Sequence, residues 1–114
     1  MCIIVFAHKV LKDYPLVLLS NRDEEYARPT TPVQHWHNET GIIAGKDLQA
    51  GGTWLGHNAH QQWAAITNYR DPTLQDDNKR SRGLIITDYL QSKQTASSFC
   101  KSLSKNFSNY NHFN

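Results

Sequence analysis

The chain has 114 residues, and its 12 lysine and arginine residues against 10 aspartate and glutamate residues give a formal net charge of +2. This near-balance argues against a nucleic-acid partner, which calls for a strongly basic surface, and the longest apolar run, residues 2–7, is far shorter than the roughly 20 residues of a membrane-spanning helix. Two cysteines are too few for a disulfide framework, so we expect a cytoplasmic protein.

Short apolar runs separated by polar residues predict β-strands over the first two thirds of the chain. Residues 2–7 and 16–19 are typical of buried strands, and residues 9–13 between them are polar enough to turn. A polar segment with two prolines, residues 25–40, predicts a loop. Three more strands are expected at residues 41–45, 53–56 and 62–67, with a tight turn at Gly51-Gly52.

Helices are predicted only after residue 80. Apolar residues within 84–90 suit one helix, with Ser81 as its candidate N-cap. A second, amphipathic helix is indicated by apolar residues at helical spacing, Ala96, Phe99, Cys100 and Leu103. We expect Cys100, on this apolar stripe, to be an inert residue of the core. Because strands come first and helices after, the order favours an α+β fold built in layers.

The first two strands bring chemically active residues together. If they pair antiparallel about a turn centred near Lys12, paired positions sum to about 24, and residue 2 lies opposite residue 22. Cys2 then faces the segment Asn21-Arg22-Asp23-Glu24. We therefore expect a thiol, a guanidinium and two carboxylates at one end of one hairpin.

Cys2 also follows the initiator methionine, which is typically removed before a small residue. Removal places a free α-amine, with an ordinary pKa of about 7.7–8.0, on the same residue as the thiol. The amine can accept the thiol proton, and a neighbouring arginine favours the thiolate. The alternative interpretation is a small buried hydrophobic residue beside a solvated turn, and the pattern alone leaves both open.

The segment Asn21-Arg22-Asp23-Glu24 after a Met-Cys strand resembles the signature of the NRDE family, which includes the relatives of transport and Golgi organization protein 2. Members of that family are about twice as long as this chain, so we expect residues 1–114 to form a single domain that is the N-terminal half of the family's domain. Further blocks agree with the resemblance, in order along the chain: Arg28-Pro29-Thr30, Gly45-Lys46-Asp47-Leu48, residues 51–56, Thr67-Asn68-Tyr69-Arg70 and Arg80-Ser81-Arg82-Gly83.

The resemblance implies an N-terminal-nucleophile (Ntn) hydrolase-like fold, which is a four-layer αββα sandwich with antiparallel sheets, present here as a partial copy. Its similarity to the penicillin and bile-salt amide hydrolases implies that Cys2 is the nucleophile and its α-amine the base. Arg22 then stabilises the thiolate, Asp23 orients the amine, and Asn68 helps to hold the oxyanion.

One departure from those hydrolases leaves the acidic role open. Their arginine and aspartate are separated by two residues, whereas Arg22 and Asp23 are adjacent. Glu24 therefore competes with Asp23 for that role, and Asn21 is a candidate for a supporting hydrogen bond.

We expect a cysteine amidohydrolase that acts on a non-peptide C–N bond of a small molecule through a Cys2 acyl-enzyme, with no required cofactor. The alternative, also implied by the family, is a non-catalytic binding or trafficking protein for haem, acyl-coenzyme A or lipid. A third and weaker hypothesis is a catalytically inactive interaction domain. Ligand binding has three weaker candidates, Trp54, Arg70 and Arg82. The three tryptophans, Trp36, Trp54 and Trp63, are otherwise expected in the core.

No metal site is predicted, because the spacing of four nearby histidines, His35, His37, His57 and His60, matches no standard zinc pattern. Half of a sandwich has an open sheet edge and an uncovered face, which invites association, so an oligomer is an open alternative.

Overall fold

The computed structural model describes residues 2–37, 41–69 and 71–114, and in them strands come first and helices after, as predicted. The chain is α+β, and its two sheets are antiparallel. The strands are β1 (Ile3–Leu11), β2 (Tyr14–Asn21), β3 (Thr30–His35), β4 (Ile43–Asp47), β5 (Leu55–His57) and β6 (Trp63–Ala65). The helices are α1 (Gly83–Gln91) and α2 (Ala96–Ser104), and Pro72–Leu74 and Phe107–Asn109 form single 3-10 turns.

Strands β1 and β2 form a hairpin in the predicted register. Ile3 pairs with Asn21 and His8 with Leu16, so paired positions sum to 24. The register shifts between His8 and Leu11, where Lys9 has a positive φ of 56°. This irregularity lets Leu11 pair with Tyr14, and the turn is therefore shorter than the predicted residues 9–13.

The second sheet has the order β3-β4-β5-β6, and its first strand lies in the segment predicted to be a loop. That prediction was wrong for Thr30–His35 because Pro32 is tolerated on an edge strand, where its missing N–H breaks no central ladder. The β3–β4 register shifts between Thr31 and Gln34, around this proline. Residues 38–40 of the predicted loop lie outside the described residues.

The core lies between this sheet and the helices. Gly56 on β5 permits the close approach of α1, since a Cβ there would lie 2.9 Å from the Ala44 Cβ and 3.1 Å from the Leu90 Cδ1. The buried hydrophobic residues are Ile42, Ala44, Ile66, Ile85, Ile86, Leu90 and Tyr110.

Helix α2 adds a smaller contact to the core, where Phe99 packs on Tyr89 with ring centroids 5.1 Å apart. Phe99 and Leu103 lie against the core, whereas Cys100 is exposed. The expectation that Cys100 is buried was wrong, because the packed stripe of α2 is narrower than its apolar spacing suggests.

Helix α1 begins directly against the Gly51-Gly52 turn. A Cβ on Gly52 would lie 2.5 Å from the Gly83 carbonyl carbon and 2.8 Å from the Leu84 nitrogen. The Thr53 amide donates to the Gly83 carbonyl at 3.2 Å. Arg82 is the N-cap residue and makes no side-chain cap, so the expected Ser81 cap is not formed.

The hairpin is less buried than its sequence predicts. On its outer face Ile3, Val5 and Leu19 are 51%, 59% and 67% exposed. The opposite face turns toward the second sheet, where the rings of Phe6 and Trp63 lie 6.0 Å apart. The apolar pattern identified these strands correctly, but the outer face has no covering layer among the described residues.

We expect Gly52→Ala to lower the free energy of unfolding by about 1–3 kcal/mol, because the new methyl group would overlap the backbone at the start of α1. Urea unfolding followed by circular dichroism measures the change. The exposed neighbour Gln49 provides the control, since Gln49→Ala should shift stability by no more than about 0.5 kcal/mol. Equal effects of the two substitutions would contradict this account of the contact.

Candidate active site

The hairpin register places Cys2 next to the segment that follows β2. The half-buried Cys2 Sγ accepts a hydrogen bond from the Asp23 backbone N–H at 3.3 Å and lies 3.8 Å from the Asp23 carbonyl oxygen. Two backbone groups of one residue therefore bracket the sulfur. This contact confirms the predicted meeting of residue 2 with the segment around residue 22.

The sulfur opens on a polar pocket of about 210 Å³, formed by the end of the hairpin, the turn before β5 and the start of α1. Asn21 is not among the residues that line this pocket. Its Oδ1 accepts a hydrogen bond from the Ile3 N–H at 2.8 Å, so its side chain secures the end of the hairpin. Arg70 lies outside the described residues. The other predicted site residues all line the pocket: Cys2, Arg22, Asp23, Glu24, Trp54, Asn68 and Arg82.

Arg22 is held from two sides. Its guanidinium carbon lies 4.4 Å from the centroid of the Trp54 ring, within the range of a cation–π contact. Its Nη2 lies 3.4 Å from Glu24 Oε2. The stacking and the ion pair together fix a positive charge on the wall of the pocket that contains Cys2.

Glu24 continues into a longer run of alternating charges. Its Oε2 is 4.0 Å from Arg28 Nε, and Arg28 Nη2 is 2.8 Å from Asp47 Oδ2. Arg28 and Asp47 line the pocket but are absent from the predicted site. The sequence did point to both residues, because each lies in a block shared with the NRDE family. No sequence pattern predicts that they pair, however, since 19 positions separate them.

Asp47 is the most tightly held carboxylate of this run. Burial alone raises the pKa of Asp47, but the hydrogen bond from Arg28, the backbone N–H groups of Ala50 and Gln49 and the Arg28 charge outweigh it. The net result is a pKa below the ordinary value of 3.8. Asp47 therefore remains ionised in the folded protein and anchors Arg28.

Asn68 and Arg82 also line the pocket, and both contact the C-terminal segment. The Asn68 backbone pairs with Phe113 in an isolated antiparallel bridge, which fixes this residue beside the C-terminal segment. Arg82 donates from Nη1 to the His112 carbonyl at 2.9 Å. Burial lowers the pKa of Arg82, and the charge of Glu24 partly opposes that shift.

Trp54 separates the polar pocket from an apolar cleft of about 430 Å³ and lines both. The cleft lies between the hairpin and the second sheet, and its volume is within the usual range for small-molecule sites. Side chains of both sheets line it, among them Leu16, Leu18, Val33, Leu55 and Trp63. The predicted burial of Trp63 in the core was wrong, since it faces this cleft and is 39% exposed.

Two features are absent from residues 2–37, 41–69 and 71–114, a cluster of metal ligands and a membrane-spanning helix. No group of three or more histidine, cysteine, aspartate or glutamate side chains in those ranges is arranged to hold a metal ion. No helix in the same ranges has the length and apolarity needed to cross a membrane.

The chain belongs to the Transport and Golgi organisation 2 family, whose family model matches residues 1–114. This finding confirms the resemblance inferred from the Met-Cys strand and the segment Asn21-Arg22-Asp23-Glu24.

Particular relatives extend the comparison. The chain is 40% identical over 121 aligned residues to the transport and Golgi organization protein 2 homolog of Homo sapiens, covering all of this chain and 44% of that protein. It is 36% identical over 100 residues to the Drosophila melanogaster protein, covering 79% of this chain and 35% of that protein. An uncharacterized Saccharomyces cerevisiae protein is 41% identical over 93 residues, 75% of this chain and 29% of that protein. The chain thus spans less than half the length of these relatives.

We expect Asp47→Asn to destabilise the protein by about 1–3 kcal/mol at pH 7, because Arg28 loses its charged partner. The folded-state pKa of Asp47 is depressed, so its contribution is present above pH 3.8 and is lost as pH falls through the lower folded value.

Urea midpoints of the parent and the variant, measured from pH 7 down to pH 3, should therefore differ by a constant amount above about pH 4 and begin to approach each other below pH 3.8. Asp13→Asn, in the exposed hairpin turn, is the control and should change the urea midpoint at pH 7 by only a small amount. A constant gap between Asp47→Asn and the parent at every pH would show that the ionised carboxylate is not responsible.

Proposed function

We propose that the protein is a cysteine amidohydrolase of the N-terminal-nucleophile type, acting on a non-peptide C–N bond. The observation that carries the proposal is the position of the Cys2 sulfur, which is held by the Asp23 backbone at the wall of a pocket that also contains Arg22 and Asn68. A thiol, a cation and a hydrogen-bond donor around one space are the groups that acyl transfer requires.

The reaction begins after removal of Met1, which frees the α-amine of Cys2. The thiol proton passes to this amine, and Sγ attacks the carbonyl carbon of the amide. The C–N bond then breaks as the protonated amine returns its proton to the leaving nitrogen, which gives a thioester and a free amine. Water attacks the thioester, the carboxylic acid leaves, and the thiol is restored.

The contacts of Glu24 support Asp23 for the acidic role. Glu24 Oε2 is directed to Arg22 and Arg28, and its Oε1 accepts from the Glu25 N–H at 3.1 Å. Its carboxylate is thus occupied with the arginines and their loop. We assign Glu24 to the placement of Arg22, Asp23 to the orientation of the amine, and Asn68 to the oxyanion.

The proposal extends to the fold. The described layers are the β1–β2 hairpin, the four-stranded sheet and the helices behind it, separated by the apolar cleft. Two antiparallel sheets facing each other with helices outside one of them fit part of a four-layer αββα sandwich. We assign these residues to the N-terminal part of such a sandwich.

For the enzyme, we expect Cys2→Ala to lower amide turnover by at least about a thousandfold, because no other group replaces the nucleophile. Cys100→Ala is the matched control, since that thiol is exposed on α2, outside the pocket. Release of amine from a panel of small N-acyl amides measures turnover, and intact-mass spectrometry shows whether Met1 is absent and whether Cys2 becomes acylated. Full turnover by Cys2→Ala, or by protein that retains Met1, would refute the proposed nucleophile.

The apolar cleft favours a second candidate function, a carrier for haem or acyl-coenzyme A. An apolar body could occupy the cleft while Arg22 or Arg82 meets an anionic group in the adjoining polar pocket. Fluorescence or absorbance titration with hemin and with decanoyl-coenzyme A tests this candidate.

If the carrier function holds, at least one of these ligands binds below about 10 μM, which corresponds to about −7 kcal/mol. Leu18→Glu, inside the cleft, should weaken that binding, whereas Leu48→Glu, exposed and outside it, should not. Weaker binding of both ligands by the parent removes the support for a carrier.

A further inference from the structure

Among the described residues, three guanidinium groups line the polar pocket, and they differ in their partners. Arg22 lies within 4.0 Å of Glu24, and Arg28 lies within 4.0 Å of both Glu24 and Asp47. Arg82 has no carboxylate within that distance among the described residues, and its hydrogen bond goes to a neutral carbonyl, that of His112. It is therefore the one cation of the described pocket without a close counter-ion.

Arg82 is also partly withdrawn from water, and burial opposes its charge, as the direction of its pKa shift shows. A buried cation is stabilised chiefly by an opposite charge and by hydrogen bonds that use its several N–H donors. The negative charge of Glu24 stabilises the Arg82 cation only from beyond ion-pair distance. The same carboxylate is already within 4.0 Å of Arg22 and Arg28.

The backbone adds positive potential at the same place. Arg82 is the N-cap residue of α1, and Ser81 and Gly83 line the pocket beside it. The start of a helix carries a partial positive charge and favours anions. Three carboxylates of the described pocket oppose an anion there, and two of them are offset by ion pairs, Glu24 with Arg22 and Arg28 and Asp47 with Arg28. The third is Asp23, and Glu25 and Asp71 line the second polar pocket beside Arg82.

We propose that Arg82 binds a carboxylate or phosphate group of the substrate, so that the amide cleaved at Cys2 belongs to an anionic class. Trp54 lies between the pocket and the apolar cleft and lines both, whereas Arg82 lines both the pocket and a second polar pocket. An amide with an apolar part toward Trp54 and a charged group at Arg82 fits this arrangement. The assignment of a substrate rests on the proposed hydrolase function, whereas the anion site itself can be measured without catalysis.

The experiment uses the full chain with Cys2→Ala, so that binding is observed without turnover. Calorimetric titrations compare N-octanoylglycine and N-octanoylphosphoethanolamine, which are anionic, with the neutral N-octanoylglycinamide. We expect at least one anionic probe to bind at least about tenfold more tightly than the neutral probe. A tenfold ratio of dissociation constants corresponds to about 1.4 kcal/mol of binding free energy. The tighter of the two identifies the carboxylate or phosphate class.

Adding Arg82→Gln should reduce the ratio of neutral-probe to anionic-probe dissociation constants to about one. The matched variant Arg80→Gln should leave that ratio unchanged. Arg80 is a suitable control because it pairs with Asp88 and lies outside the pocket. Equal binding of charged and neutral probes, an advantage that survives Arg82→Gln, or no measurable binding of either anionic probe would overturn the proposal. Hydrolysis is scored separately with Cys2 intact, so failure of the enzyme function and failure of the anion site give different results.

Discussion

The pairing of β1 with β2 is the constraint on which the candidate site depends. Because paired positions sum to 24, the strand ends bring Cys2 and the segment after Asn21 together, although 20 positions separate residue 2 from residue 22. A slip of one residue would turn each side chain to the other face of the hairpin. Asn21 secures this end, since its side chain accepts from the Ile3 backbone. The register of a short hairpin thus decides which groups surround the sulfur.

Ion pairs then fix the positions of the charged side chains that the hairpin register brings together. Glu24 and Asp47 alternate with Arg22 and Arg28, and Trp54 supports one end of this run. Each carboxylate holds a guanidinium in place, so charges of both signs have fixed positions on the walls of the pocket. The same arrangement leaves Arg82 with a neutral carbonyl as its near partner, which is why this residue differs in character from the other two.

The hairpin register and the helices were predictable from the sequence because they depend on local spacing. Strand β3 was not, because Pro32 signals a loop unless the neighbouring strands are known. The burial of the hairpin and of Cys100 was predicted too high, since exposure depends on which layer covers a surface and not on the apolar pattern alone. The Arg28–Asp47 pair was missed for a related reason, because a contact between separate loops has no periodicity to reveal it.

The contact between the Asp23 amide and the Cys2 sulfur has a consequence for how this site can vary. The donor belongs to the main chain, so any residue at position 23 except proline supplies it. The placement of the sulfur and the side-chain chemistry at position 23 are therefore separable, because a substitution there changes the side chain while the main-chain hydrogen bond to Cys2 persists. Relatives that differ at this position can keep the same sulfur geometry beside a side chain of different charge.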